Sequence, residues 1–244
     1  MIYGIISDVH SNYDALDIVL SHIKSIGVER IIFLGDMVGY NAEPDRCVEL
    51  LFPLLYSEVR GNHDKAVSGK MNLDYFNAVA RQAVLWARKN MKPENMEIVK
   101  ALPKGPVGVD SRFIICHGSP MNEDMYILTH GAVEESFAFM EENFPDIDIC
   151  FFGHTHVPFV FEERRGMLDL EDTLHLKRGK RYIINPGSVG QPRDGNPRAS
   201  FGIFNDIDLT FTLHRVSYPI EKAQEKIVKA GLPGMLAERL AMGY

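Results

Sequence analysis

Five short polar stretches carry the residue types that do chemistry: Ser7-Asp8-Val9-His10, Gly35-Asp36, Arg60-Gly61-Asn62-His63-Asp64, His117-Gly118 and Gly153-His154-Thr155-His156. Each follows an apolar run, and five of the nine histidines stand in them. Imidazoles, carboxylates and an amide carbonyl are ligands for divalent transition ions such as manganese, iron, zinc, nickel or cobalt. The lack of thiolate argues against copper(I) or an iron–sulfur cluster, and the histidine load argues against magnesium alone. Asp8, His10, Asp36, Asn62, His117, His154 and His156 make seven candidate ligands, too many for one tetrahedral ion. They suit two ions ~3.5–4 Å apart that share one carboxylate. Only Asp8 and Asp36 are anionic in that set, so two divalent ions leave the site with about two positive charges. Such a centre activates hydroxide and grips phosphoryl oxygens. Phosphate-ester hydrolysis is the reaction it fits best.

For segments so distant to share a pocket, the fold must bring the ends of their apolar runs together. IYGII (2–6), IIFL (31–34), the segment 56–59, FIIC (113–116) and ICFF (149–152) read as buried strands, the segment 56–59 least clearly because of Ser57 and Glu58. Helical spacing recurs between them: at Leu16, Val19, Leu20 and Ile23 behind an Asn12 or Asp14 cap, at Cys47, Leu50 and Leu51, from about Asp74 to Met91, between Pro93 and Pro103, and over 133–143. Alternating strands and helices predict parallel pairing, with the carboxyl ends of the strands along one edge where ligands bind. Asp8 and His10 are two apart, as are His154 and His156, so extended backbone would aim each pair to one side, with glycines bending the chain. After Gly153 the texture changes to closely spaced strands, which read as an antiparallel meander in a second or mixed sheet. One domain over 1–244 is expected, with a helical excursion at about 72–103 and C-terminal helices at about 219–242. His22, His130, His175 and His214 lie outside the polar stretches and read as structural.

Composition excludes some classes. At 244 residues, 45% hydrophobic and 24% charged, the chain is an ordinary globular one. A net charge of -7 and a pI near 5.7 oppose general nucleic-acid binding or an acidic membrane surface. No apolar run approaches the roughly 18 residues of a membrane span, and no signal-peptide pattern opens the chain. Cys47, Cys116 and Cys150 form neither a metal motif nor a disulfide framework, which points to the cytoplasm and to small core residues. Nothing in the sequence sets the oligomeric state.

With these residues in view, the chain resembles the calcineurin-like metallophosphoesterase superfamily. The motifs D-x-H, G-D, G-N-H-[DE], G-H and G-H-x-H appear in order as DVH, GD, GNHD, HG and GHTH, with Cys116 ahead of His117 where glycine is frequent. The stretches GDMVGYNAEPD and NPGSVGQPRDG look like the small bacterial and archaeal phosphodiesterase branch. That resemblance implies an α/β, four-layer sandwich of two packed mixed β-sheets flanked by helices. It also implies one ion held by Asp8, His10, Asp36 and His156 and a second by Asp36, Asn62, His117 and His154. His63 would protonate the leaving oxygen or stabilise the transition state, with a metal-bridging hydroxide attacking in line. The phosphatase branch has an aspartate that orients this histidine and an arginine that holds phosphate, but Gly39 and Tyr40 occupy those positions here. Whether Asp64 orients His63 is left open, and Arg193 is the candidate replacement for the arginine, with Asn62 as a further substrate contact. Tyr75, Asn77, Arg81 and Trp86 of the helical excursion stand as candidates for shaping substrate choice.

Three functions compete. A phosphodiesterase, with some monoesterase activity, uses the complete ligand set on a small phosphate ester. A hydrolase of cyclic or dinucleoside phosphate signals shares the site and differs in pocket lining. A scaffold of the same fold without chemistry would show broken motifs, and none is broken here.

Overall fold

In the computed structural model, which describes residues 1–170 and 173–244, two six-stranded sheets lie between layers of helix. The first sheet is built from β1 (Ile2–Ile6), β2 (Arg30–Phe33), β3 (Leu55–Glu58), β9 (Leu174–His175), β11 (Ala199–Asn205) and β12 (Thr210–Val216), in the order β3-β2-β1-β11-β12-β9. The second contains β4 (Val107–Val109), β5 (Phe113–Ile115), β6 (Ile149–Phe151), β7 (Phe159–Glu162), β8 (Gly166–Leu168) and β10 (Tyr182–Asn185), in the order β4-β5-β6-β10-β7-β8. In each sheet three neighbouring strands run parallel, β1-β2-β3 and β5-β6-β10, and the remaining pairs are antiparallel. Among the described residues the α-helices are α1 (Tyr13–Ile26), α2 (Pro44–Leu51), α3 (Asn62–Val67), α4 (Ala78–Asn90), α5 (Pro93–Ala101), α6 (His130–Asn143), α7 (Ile220–Lys229) and α8 (Gly234–Met242).

The continuous apolar runs follow from burial on both faces. Tyr3, Ile5, Phe113, Ile115, Phe151 and Phe204 point between the sheets. Their alternate neighbours Ile6 and Phe33 pack against α1, α2, α7 and α8, while Ile114, Cys116, Cys150 and Phe152 pack against α6. The aromatic rings between the sheets meet edge to face, Phe113 lying 5.1 Å from Tyr3 and 5.2 Å from Phe151. Phe151→Ala should therefore lower the unfolding free energy by about 3–5 kcal/mol, read from the urea midpoint at unchanged slope.

The structure corrects several expectations. The five apolar runs do not share one sheet: three lie in the first and two in the second. The strands after Gly153 form no separate meander, since β7, β8 and β10 extend the second sheet while β9, β11 and β12 extend the first. Short strands carry no mark of which of two apolar sheets they join. The segment at Tyr56 tolerates Ser57 and Glu58 because β3 is an edge strand. The helix expected from Asp74 begins at Ala78, because Leu73–Tyr75 forms a single 3-10 turn and the Asn77 side chain caps α4 by accepting from Ala80 N at 2.9 Å. Helix α1 is capped by Asn12, which accepts from Ala15 N at 3.2 Å. All three cysteines are free and buried.

Candidate metal centre

The loops after β1, β2, β3, β5 and β6 converge, and they do so through unusual backbone. Asp8, His10, Asp36, His154 and His156 have φ of 54°, 49°, 60°, 66° and 61°, in the left-handed region that non-glycine residues seldom occupy. The same-side aim expected for extended backbone is thus achieved by tight turns. Cross-loop bonds hold them: Asp8 N donates to Gly35 O at 3.0 Å, His10 N to Asp36 O at 2.9 Å and Gly153 N to His117 O at 2.9 Å. The glycines serve close approach more than bending. A Cβ on Gly61 would lie 2.0 Å from Asp36 Oδ1, and one on Gly153 would lie 1.9 Å from Ser7 Oγ. Gly153→Ala should push Ser7 and Asp8 aside, destabilise the fold by about 1–3 kcal/mol and lower the metal content of protein purified under metal-replete conditions.

The expected donors meet. His10 Nε2 lies 3.1 Å from His156 Nε2, 3.5 Å from Asp36 Oδ2 and 3.9 Å from Asp8 Oδ1. His156 Nε2 is 3.4 Å from Asp8 Oδ1. On the other side His117 Nε2 lies 3.3 Å from Asp36 Oδ2 and 3.2 Å from Asn62 Oδ1. Three overlapping groups result, Asp8–His10–His156, His10–Asp36–His63 and Asp36–His117–His154, and Asp36 is common to two of them. Asp8, His10, Asp36 and Asn62 come from the first sheet, His117, His154 and His156 from the second.

Tautomers show what this cluster lacks. His10 Nδ1 donates to Val38 O at 3.2 Å, His156 Nδ1 to Gln191 O at 2.6 Å and His117 Nδ1 to Leu34 O at 2.8 Å, since a carbonyl can only accept. In neutral His10 and His156 each Nε2 is left with a lone pair, and the two face each other. Acceptors pointed at acceptors need a cation between them, so these residues fit a divalent metal, while His117 directs its Nε2 at two oxygens that a proton or a metal can serve. His154 donates through Nε2 to Asp124 O at 3.2 Å, which leaves Nδ1 as the nitrogen it can offer.

Electrostatics agree. Burial pushes His10, His154 and His156 well below the usual imidazole range and lifts Asp8 to about 7. Burial opposes the charged form of His117 too, yet Asp36 outweighs it and raises His117 to about 10. The same pairing overrides burial at Asp36 and keeps its carboxyl well below the ordinary range.

Residues that sequence reading missed or left open support the donors. Asp64 does turn inward, but toward backbone: its carboxylate accepts from the N–H groups of Asp36 at 2.8 Å, Met37 at 2.9 Å and Gly61 at 2.9 Å. It pins the Asp36 loop and does not orient His63. Ser7 Oγ donates to Asp8 Oδ2 at 2.6 Å. Lys65 Nζ bonds Asp124 at 2.6 Å and Glu123 at 3.0 Å, and Arg60 grips Glu123 through two bonds of 3.0 Å, which fixes the loop that offers the Asp124 carbonyl. Only the adjacency of Asp64 and Lys65 to Asn62-His63 hinted at these roles.

His63 is buried against His10, Tyr40 and Phe76, at ring separations of 4.7, 4.3 and 5.0 Å. Its Nδ1 has no hydrogen-bond partner among the described residues, and a Cβ on Gly39 would lie 2.5 Å from that nitrogen. Packing holds this ring, and at this backbone (φ 105°) the space beside Nδ1 is filled by Gly39 with no room for a side chain. Burial, partly offset by Asp36, keeps His63 down at about 4. Arg193 is half-buried, with Nη2 on Gln191 Oε1 at 2.9 Å and its guanidinium 5.6 Å from the Tyr40 ring. Its backbone N–H donates to His156 O at 3.2 Å, and its charge adds to burial in lowering His10, His63, His154 and His156.

A cavity of about 350 Å³ adjoins the donors at Asn62 and His154. Tyr75 and Asn77 line it, Arg81 lines a neighbouring groove, and Trp86 packs half-buried against the core. His22 and His214 face each other across α1 and β12 at 5.6 Å, away from the donors, while His130 pairs with Glu134 on α6. No helix among the described residues is long and apolar enough to cross a membrane.

The family model for the calcineurin-like phosphoesterase superfamily domain matches residues 1–206. The chain is 43% identical to an uncharacterised protein of Methanocaldococcus jannaschii over 248 residues, covering 98% of this chain and 97% of that one. It is 27% identical to the phosphodiesterase YfcE of Escherichia coli over 208 residues, 82% of this chain and 86% of the relative. A metallophosphoesterase structure from Sphaerobacter thermophilus superposes with a TM-score of 0.86 at 40% identity, covering 100% of this chain and 99% of the other.

Proposed function

The chain belongs to the calcineurin-like phosphoesterase superfamily, and from that premise we propose that it hydrolyses phosphodiesters, with some activity on monoesters, at a centre of two divalent transition-metal ions. Asp8, His10, Asp36 and His156 would hold one ion and Asp36, Asn62, His117 and His154 the other. What carries this reading is the pair of proton-free imidazole nitrogens of His10 and His156, 3.1 Å apart. The likeness to a phosphodiesterase and the unbroken donor set support catalysis over a scaffold role.

The ions, when bound, supply Lewis-acid activation of water and charge neutralisation at phosphorus. The chain's own residues do the rest. Arg193 and the Asn62 amide draw the non-bridging oxygens into place. Neutral His63 donates a hydrogen bond to the leaving oxygen as charge builds there. Hydrolysis of cyclic or dinucleoside phosphate signals is the alternative, which shares this centre. The net charge of -7 and the free thiols suit a cytoplasmic enzyme acting on small esters, without general nucleic-acid or membrane binding.

Metal analysis of untreated protein, followed by an esterase panel before and after chelation, tests the proposal. Turnover of bis-p-nitrophenyl phosphate should vanish on chelation and return with added manganese, iron, zinc, nickel or cobalt. Metal-replete protein inert toward both that diester and p-nitrophenyl phosphate would refute it.

A further inference from the structure

The cavity beside the donors has a distinct chemistry. Its walls include Phe76 and Met71, and two tyrosines stand at its rim without being packed away. Tyr126 is 46% exposed, with its ring stacked on His154 at a centroid distance of 3.7 Å. Tyr75 is 85% exposed, the highest value among the large hydrophobic residues described. Aromatic rings left in water around a concave site are stacking surfaces for a planar ligand. Asn77 commits its side-chain oxygen to the cap of α4, which leaves its amide hydrogens for a ligand heteroatom.

Charge narrows the ligand further. No lysine or arginine lines the cavity among the described residues, and its carboxylate, Asp124, is already paired with Lys65 at 2.6 Å. An additional phosphate there would be desolvated with no partner cation. The neighbouring groove across Met71 does hold Lys70, Arg81 and Arg88, with Lys70 on Lys100 O and Arg88 on Ala66 O, but these cations line that groove and not the cavity beside the donors.

We propose that this cavity binds an uncharged planar group, a nucleoside or an aryl group, esterified to the scissile phosphate. The proposal rests on the phosphodiesterase reading above and narrows it to diesters of that kind, against polyphosphate esters.

The test keeps the leaving group fixed. Full-length, metal-restored protein is given p-nitrophenyl phosphodiesters whose second group is phenyl, thymidin-5′-yl or ethyl. The phenyl and thymidinyl esters should exceed the ethyl ester in kcat/KM by about tenfold, and Tyr75→Ala should narrow that ratio to about threefold or less. A thymidinyl ester favoured over phenyl identifies the nucleoside as the ligand, and equal rates identify any flat ring; both support the proposal. Turnover with no preference over ethyl, or a preference for diadenosine tetraphosphate over the thymidinyl ester, overturns it. Calorimetry with phenylphosphonate and ethylphosphonate reads the cavity independently of turnover. Tighter phenyl binding by protein that cleaves none of the esters would uphold this site while refuting the hydrolase reading.

Discussion

Asp36→Asn should reduce kcat for a diester by about a thousandfold or more, with metal content falling and the circular dichroism spectrum unchanged. Asp36 is where the two donor groups join: one oxygen lies 3.5 Å from His10 Nε2 and 3.3 Å from His117 Nε2, while the other accepts from His63 N at 2.8 Å. Asparagine keeps the shape but removes the charge, and it presents an amide hydrogen or a weak acceptor where cations need a carboxylate. The loop itself should survive, because Asp64 still holds the backbone N–H groups at 36 and 37. Retention of more than a tenth of wild-type kcat, at wild-type metal content, would show that Asp36 bridges nothing.

His63→Asn should lower kcat about 10²–10³-fold while metal content stays at the wild-type level. The ring sits beside His10 and Tyr40 and its backbone N–H donates to Asp36 at 2.8 Å; although its ring nitrogen lies near His10 and Asp36, neither of the two four-donor sets above assigns it an ion. Leaving-group dependence reads its role. Help to the departing oxygen matters most when that oxygen is a poor leaving group, so the defect should be small for a p-nitrophenyl ester and large for an alkyl one. A uniform defect across leaving groups would move His63 to the non-bridging oxygens. Loss of metal would make it structural.

Much of this centre was legible because its donors lie at the ends of apolar runs, where a polar cluster has no packing reason to be. Asp8, His10, Asp36, Asn62, His117, His154 and His156 all converge in the structure. The layers were legible in part, since runs such as Phe113-Ile114-Ile115-Cys116 alternate between two apolar environments and so read as buried on both faces. Sheet membership was not, because β10 and β11 look alike locally and only long-range pairing separates them. Nor were the left-handed turns at Asp8 and His154, whose backbone is imposed by cross-loop bonds and not by residue type. The roles of Asp64, Lys65 and Tyr126 depended on distances between loops, which spacing along one chain does not encode.

Two of the three donor groups take members from both sheets: Asp8 and His10 with His156, Asp36 with His117 and His154. Any ion lodged there acts as a rivet across the seam between the two halves of the molecule. Loading and folding are then one linked equilibrium, and the chain's resistance to heat becomes a gauge of how much free metal surrounds it. Losing such an ion would loosen the sandwich at the donor end, while the aromatic interior keeps the far end shut.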